Sequence, residues 1–268
     1  MTTVPKIEMH LAHACNLACT GCTHYSDHGL SGVLDFQTGR FWLETWAQKV
    51  QPLHFTFLGG EPLLNRHVGR FLRTARELWP ATRIRLVTNG LLLHRQPSLW
   101  DDIAGSNVVL TVSIHSREEA YEELIRPNIE LARRQASERG FAYEERNSVD
   151  GWYKLYRGSG SAMQPFDYGD PRRSWSVCQN KHCVTLQNNR LWKCPPLAHL
   201  PRVTRLHGLE DDPAWQPYLD YEPLSPDATA DEIRRFFGRG PEPSCGMCPV
   251  SLHPVEKSVF RRLPLAAT

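Results

Sequence analysis

The sequence predicts an α/β fold, a barrel or open sheet of parallel strands, followed by a small loop-rich region. Three observations predict it. Up to about residue 160 short apolar runs alternate with amphipathic stretches. Fourteen of the twenty prolines lie from Pro165 onward, which breaks that rhythm. The eight cysteines fall into two tight groups, Cys15–Cys22 and Cys178–Cys248, with none in the 155 residues between. Disulfides scatter with the loops they staple, whereas two clusters look like two metal sites.

Taken in order, the expected strands are Ile7–Ala12, His54–Leu58, Arg83–Thr88, Val108–His115 and Ala142–Arg146, with Trp152–Tyr156 as a weaker sixth. Most are β-branched or Leu-rich, and most end at a polar or glycine-rich turn. Helices are expected near Phe41–Val50, Val68–Leu78, Ser98–Ile103 and Glu118–Arg139. Repeated βα units imply right-handed crossovers between parallel strands. Beyond residue 160, Val184–Gln187 and Arg190–Lys193 flank Asn188-Asn189. Paired asparagines tolerate the positive φ of a tight turn, so this reads as a β-hairpin. Ala230–Phe237 reads as one short helix. A small region of this kind has little core and needs a staple, which five cysteines would supply.

Composition excludes several functions. A net charge of +2 gives no electrostatic footprint for nucleic acid or an anionic membrane. No apolar run is long enough to span a bilayer. The first fifteen residues carry Lys6, Glu8, His10 and His13 rather than an apolar signal core, so a cytoplasmic location is expected.

The first cysteine group reads Cys15-Asn16-Leu17-Ala18-Cys19-Thr20-Gly21-Cys22, directly after the first strand. Thiolates are the soft ligands of iron–sulfur clusters, and three of them hold three irons of a cubane, leaving the fourth iron open. Structural zinc would need a fourth ligand. Gly59-Gly60-Glu61-Pro62 closes the second strand. Together these two motifs resemble the radical S-adenosylmethionine (SAM) superfamily, over roughly residues 5–160.

The resemblance implies a partial (β/α)6 TIM-like barrel over residues 1–160, with a small C-terminal cluster-binding Twitch-like domain over 161–268. It implies a 4Fe–4S cluster on Cys15, Cys19 and Cys22 that binds SAM. Gly59 and Gly60 would let backbone approach the methionyl amine, beside Pro62, while Glu61 would accept from its ammonium. Asn89, Ser113 and His115, at the ends of the third and fourth strands, would contact SAM. The position before the third cysteine is often aromatic in the family and here is Gly21; Tyr25 or His24 would pack on the adenine instead. The implied chemistry is reductive cleavage of SAM to a 5′-deoxyadenosyl radical, which takes a hydrogen atom from an unactivated C–H bond.

The second group, Cys178, Cys183, Cys194, Cys245 and Cys248, resembles the Twitch or SPASM auxiliary domains and implies one auxiliary 4Fe–4S cluster, zinc being the competing metal. Cys194 and Cys245 are the first expected ligands. One of Cys178, Cys183 and Cys248 is left over as a candidate hydrogen donor to a substrate radical. Short relatives with this layout act on aminocyclitols as dehydrogenases or on aminoglycosides as epimerases. The spare thiol favours epimerisation of a carbinol carbon in a carbohydrate-like small molecule. Dehydrogenation, with the auxiliary cluster taking the electron, is the alternative, and modification of a ribosomal peptide the second alternative. An external reductant such as flavodoxin or ferredoxin is the implied partner. Polar candidates to face the substrate are His54, His115, Glu144, Arg146 and Arg157.

Overall fold

A computed structural model of the chain describes residues 1–150, 152–252, 254 and 255. Five strands and four helices alternate first: β1 (Thr2–Ala12), α1 (Phe36–Ala47), β2 (Val50–Gly59), α2 (Val68–Leu78), β3 (Arg83–Thr88), α3 (Leu99–Ile103), β4 (Val109–Ile114), α4 (Glu119–Arg139) and β5 (Ala142–Asn147). All five strands are parallel neighbours in sequence order. The sheet stays open, as a partial barrel does. The Trp79 ring stacks on Phe55 with centroids 5.1 Å apart, and its indole N–H donates to the Val50 carbonyl at 2.9 Å, locking α2 against β2.

The weak sixth strand expected at Trp152–Tyr156 does not form. Tyr153 makes one isolated bridge to Pro254, and the Trp152 indole donates back to the Ser148 carbonyl, turning the segment across the sheet end. The sheet grows at its other edge instead. β6 (Thr185–Gln187) lies parallel to β1, placing Thr185 opposite Glu8, and β7 (Arg190–Trp192) returns antiparallel. Asn188 and Asn189 take φ of 52° and 55°, the paired positive values of a type I′ turn.

The proline-rich part is more helical than expected: α5 (Pro171–Val177), α6 (Pro195–His207), α7 (Gln216–Leu219) and α8 (Ala230–Phe237). Pro171, Pro195, Pro196 and Pro217 sit in first turns, where the missing N–H has no intrahelical partner to lose. Thr229 and Glu232 close α8 with a reciprocal capping box.

The expected boundary at 160/161 does not divide the core. The apolar cluster around the sheet takes in Leu186, Leu191, Ile233 and Phe236 from the later segment. A second cluster around Leu200, Val203, Trp215 and Met247 takes in Tyr25 and Leu30 from the earlier one. Residues 256–268 of the expected second domain lie outside the described residues. No helix among the described residues is long and apolar enough to cross a membrane.

Candidate active site

Parallel strands bring all their C-terminal ends to one side. Here those of β2 to β5, with Lys6 and Glu8 of β1, border a cavity of about 410 Å3, a volume suited to a small molecule. Cys15, Cys19 and Cys22 line it, as do Gly59, Gly60, Asn89, Ser113 and His115. The cysteine loop is tied to the strand ends by polar contacts. Asn89 Nδ2 donates to Asn16 Oδ1 at 2.7 Å and lies 3.9 Å from Cys15 Sγ. The Leu17 N–H points at Cys15 Sγ at 3.4 Å, and His115 Nδ1 lies 3.5 Å from Cys19 Sγ. Burial holds the His115 imidazole down to about 4, so it faces that sulfur uncharged.

Two expectations need correction and one needs adding to. Glu61 is wholly buried and absent from the cavity wall. Its Oε1 accepts from the Leu63 N–H (2.9 Å) and the Thr88 hydroxyl (2.6 Å), and its Oε2 from the Asn89 N–H (2.8 Å). It thus fixes the turn that presents Asn89, and Pro62 is buried beside it. The glycines line the cavity and also make a second contact that was not expected. A Cβ on Gly60 would lie 2.2 Å from the Ala14 carbonyl oxygen, and one on Gly59 2.3 Å from that of Ala12. Glycine is needed because the β2 end packs directly on backbone leading into the cysteine loop. Tyr25, thirdly, does not reach the cavity; it is buried in the second apolar cluster, its ring 6.0 Å from that of Tyr156. His24 does line the cavity. Gly21 has φ +78°, and a Cβ there would meet the Tyr153 carbonyl at 3.2 Å, which disfavours the family's aromatic residue. Trp152 and Tyr153 border the cavity from their own loop.

The later cysteines sort into two sets. Cys178, Cys194, Cys245 and Cys248 surround a small pocket of about 30 Å3 beside Trp175 and Lys193. Cys183 is not part of it. It lines the large cavity, where Lys6 Nζ lies 3.8 Å from its sulfur and pairs with Glu8. Burial, reinforced by the Glu8 charge, pushes the Cys183 thiol up to about 12, so it keeps its proton. Although burial opposes it, the Glu8 carboxylate holds the Lys6 ammonium above its ordinary value. Cys178 and Cys248 border both spaces, so the two pockets adjoin.

Of the polar candidates, His115 and Arg146 reach the cavity, while His54, Glu144 and Arg157 do not. Sequence reasoning missed Lys6, Glu8, Thr56 and Arg85 on its wall. The signal existed: residues 6 and 8 and residues 56 and 58 recur at period two on paired strands, placing them on one face.

Residues 9–139 match the family model of the radical SAM superfamily; this part of the chain is a radical SAM domain. The chain is also similar to GTP 3′,8-cyclase of Chlorobaculum tepidum, 29% identical over 117 residues, which is 43% of this chain and 35% of the cyclase. It thus spans about a third of that curated relative's length. Among solved structures it is similar to BtrN in complex with AdoMet and 2-DOIA, with a TM-score of 0.48 and 15% identity over 92% of this chain and 94% of that one. A histidine-tagged anSMEcpe with bound AdoMet gives a TM-score of 0.49 and 13% identity over 92% and 82%. Likeness at this level is one of outline, and nothing about the site follows from it.

A radical SAM domain implies a 4Fe–4S cluster and SAM. The residues present fit them: three thiols border a cavity of small-molecule size, with the uncharged polar groups of Asn89, Ser113 and His115 around it.

Proposed function

We propose that the chain is a radical SAM epimerase acting at a carbinol carbon of a carbohydrate-like small molecule, such as an aminoglycoside or aminocyclitol. When bound, the cluster on Cys15, Cys19 and Cys22 and its SAM supply a 5′-deoxyadenosyl radical, the agent that takes the hydrogen atom. The chain's own residues position the substrate, exclude water and return hydrogen. Gly59, Gly60, Asn89, Ser113, His115 and His24 would surround SAM, and Lys6, Thr56, Arg85 and Arg146 would grip hydroxyl or amino substituents. Residues from 161 onward are read as a Twitch-like module holding an auxiliary 4Fe–4S cluster on Cys178, Cys194, Cys245 and Cys248.

One observation carries this reading: Cys183 stands apart from the four-thiol pocket and opens into the cavity as a protonated thiol. Its S–H bond breaks as a C–H bond forms on the opposite face of the substrate radical. The sulfur radical left behind is restored by one electron from an external reductant, a flavodoxin or ferredoxin, and a proton relayed by the Lys6–Glu8 pair. Dehydrogenation is the second reading, favoured by Glu8 as a carboxylate able to take the carbinol proton and by Cys178 and Cys248 bordering the same cavity.

The test is turnover in heavy water with a panel of aminocyclitols and aminoglycosides. The expected result is an inverted carbon carrying one solvent deuterium. A ketone without carbon-bound deuterium would replace epimerisation by dehydrogenation.

A further inference from the structure

Beneath the cysteine loop lies a cluster that the reaction above does not use. His10 from β1, His13 from the turn that follows and His199 from α6 bring one ring nitrogen each within 4.8 Å of one another. All three are buried. His10 and His199 stack with centroids 3.9 Å apart, and His13 meets His199 edge-on at 5.4 Å. His24 closes a fourth side, its ring 4.6 Å from that of His10.

Three imidazoles gathered in an interior need a reason. Both ring nitrogens of His10 and Nε2 of His199 are buried without a hydrogen-bond partner among the described residues. An unpaired buried polar atom costs on the order of 1–3 kcal/mol, and the interiors of native proteins contain few of them. Stacking satisfies ring faces and leaves these edge nitrogens bare. Imidazole nitrogens left bare in this way are available as metal ligands.

We propose that His10, His13 and His199 bind one borderline divalent transition-metal ion of the Zn2+ type, separate from both cysteine groups. Three neutral nitrogen donors are a known zinc set, with a fourth position left over. The stacked His10 and His199 rings must splay slightly for both to meet one ion. Arg202 lies close enough for its charge to act on all three rings. It disfavours a bare dication and favours one carrying an anionic fourth ligand. The placement gives the site a structural role. His13 precedes Cys15 by two residues, and α6, which carries His199, begins directly after Cys194. An ion held here would pin the backbone of one thiol group to that of the other.

The test uses the anaerobically reconstituted full chain, dialysed against Zn2+ and washed, with metals counted and the zinc absorption edge analysed. One zinc per chain on top of the cluster iron is expected, with nitrogen scatterers at about 2.0–2.1 Å and no sulfur. His199→Phe, which keeps a flat ring against His10, and His13→Gln should each lose the zinc while keeping iron and sulfide at the level of the unmodified chain. Sulfur in the zinc shell, no zinc in the unmodified chain, or zinc retained at full level by both variants would each overturn the assignment.

Discussion

Lys6 Nζ and Cys183 Sγ lie 3.8 Å apart although 177 residues separate them in the chain. The pairing of β6 with β1 produces the meeting. Glu8 lies opposite Thr185, and Cys183, two residues before that strand residue, thereby comes beside Lys6, two residues before Glu8. Position alone therefore distinguishes Cys183 from its neighbours.

Iron content should make the same distinction. Cys183→Ser should keep the iron and labile sulfide of the unmodified protein. Cys178→Ser, Cys194→Ser, Cys245→Ser and Cys248→Ser should each lose about four irons per chain. Iron and sulfide assays on anaerobically reconstituted protein read this directly; loss in Cys183→Ser would move that residue into the ligand set.

Glu8 keeps Cys183 protonated, so removing its charge should make the sulfur more reactive. The Cys183 thiol stands at about 12, raised by burial and by Glu8. At pH 9 it should therefore alkylate slowly, since only the thiolate attacks. Glu8→Gln lowers that value and also frees the Lys6 ammonium to face the sulfur. Each unit of decrease speeds labelling by roughly tenfold. Peptide mapping after timed iodoacetamide treatment follows Cys183 by itself, and an unchanged rate in Glu8→Gln would remove Glu8 from this role.

Glu61 should leave a signature in the pH dependence of stability. Burial raises it to about 7 from 4.5 despite three hydrogen bonds that pull the other way. Between those values the folded chain holds a proton that the unfolded chain has released, so stability falls as pH rises through the window. The full shift corresponds to roughly 3 kcal/mol. Glu61→Gln cannot ionise, and its melting temperature should fall less between pH 5 and pH 7.5. A parallel decline in both proteins would show that Glu61 does not titrate there.

The glycines at the end of β2 should be intolerant for reasons of packing. Gly60→Ala drives a methyl group to within 2.2 Å of the Ala14 carbonyl oxygen, and both partners are backbone. A loss of about 3 kcal/mol or more is expected. Gly105→Ala is the control: it has a positive φ, +58°, but nothing within 4 Å, and should cost only about 1–2 kcal/mol. Denaturant melts of the two variants make the comparison, and equal losses would contradict the packing argument.

Much of this was legible in the residues. Val68–Leu78 and Ala230–Phe237 were readable to the residue, since amphipathic spacing and, in the second, a Thr–Glu cap mark them locally. The three-cysteine loop and its position after β1 were equally plain. The direction of Glu61 was not, because its motif is the same whether the carboxylate faces a ligand or caps a turn. Lys6 and Glu8 served in the sequence only as charges against an apolar signal core, and their place beside Cys183 depends on the pairing of β6 with β1. His10 and His199 are 189 positions apart, and only the docking of α6 beneath the cysteine loop makes them neighbours. Prolines misled for a physical reason: they break a helix from within but suit its first turn.

The place of β6 also says what cutting the polypeptide would do. A fragment ending after the fifth strand would leave the flank of β1 at Glu8 and Met9 stripped of its cover, its peptide groups unsated beside Ile7 and Leu11. Such a raw margin invites other chains to pair with it, and the shortened product should clump rather than persist as a smaller folded chain.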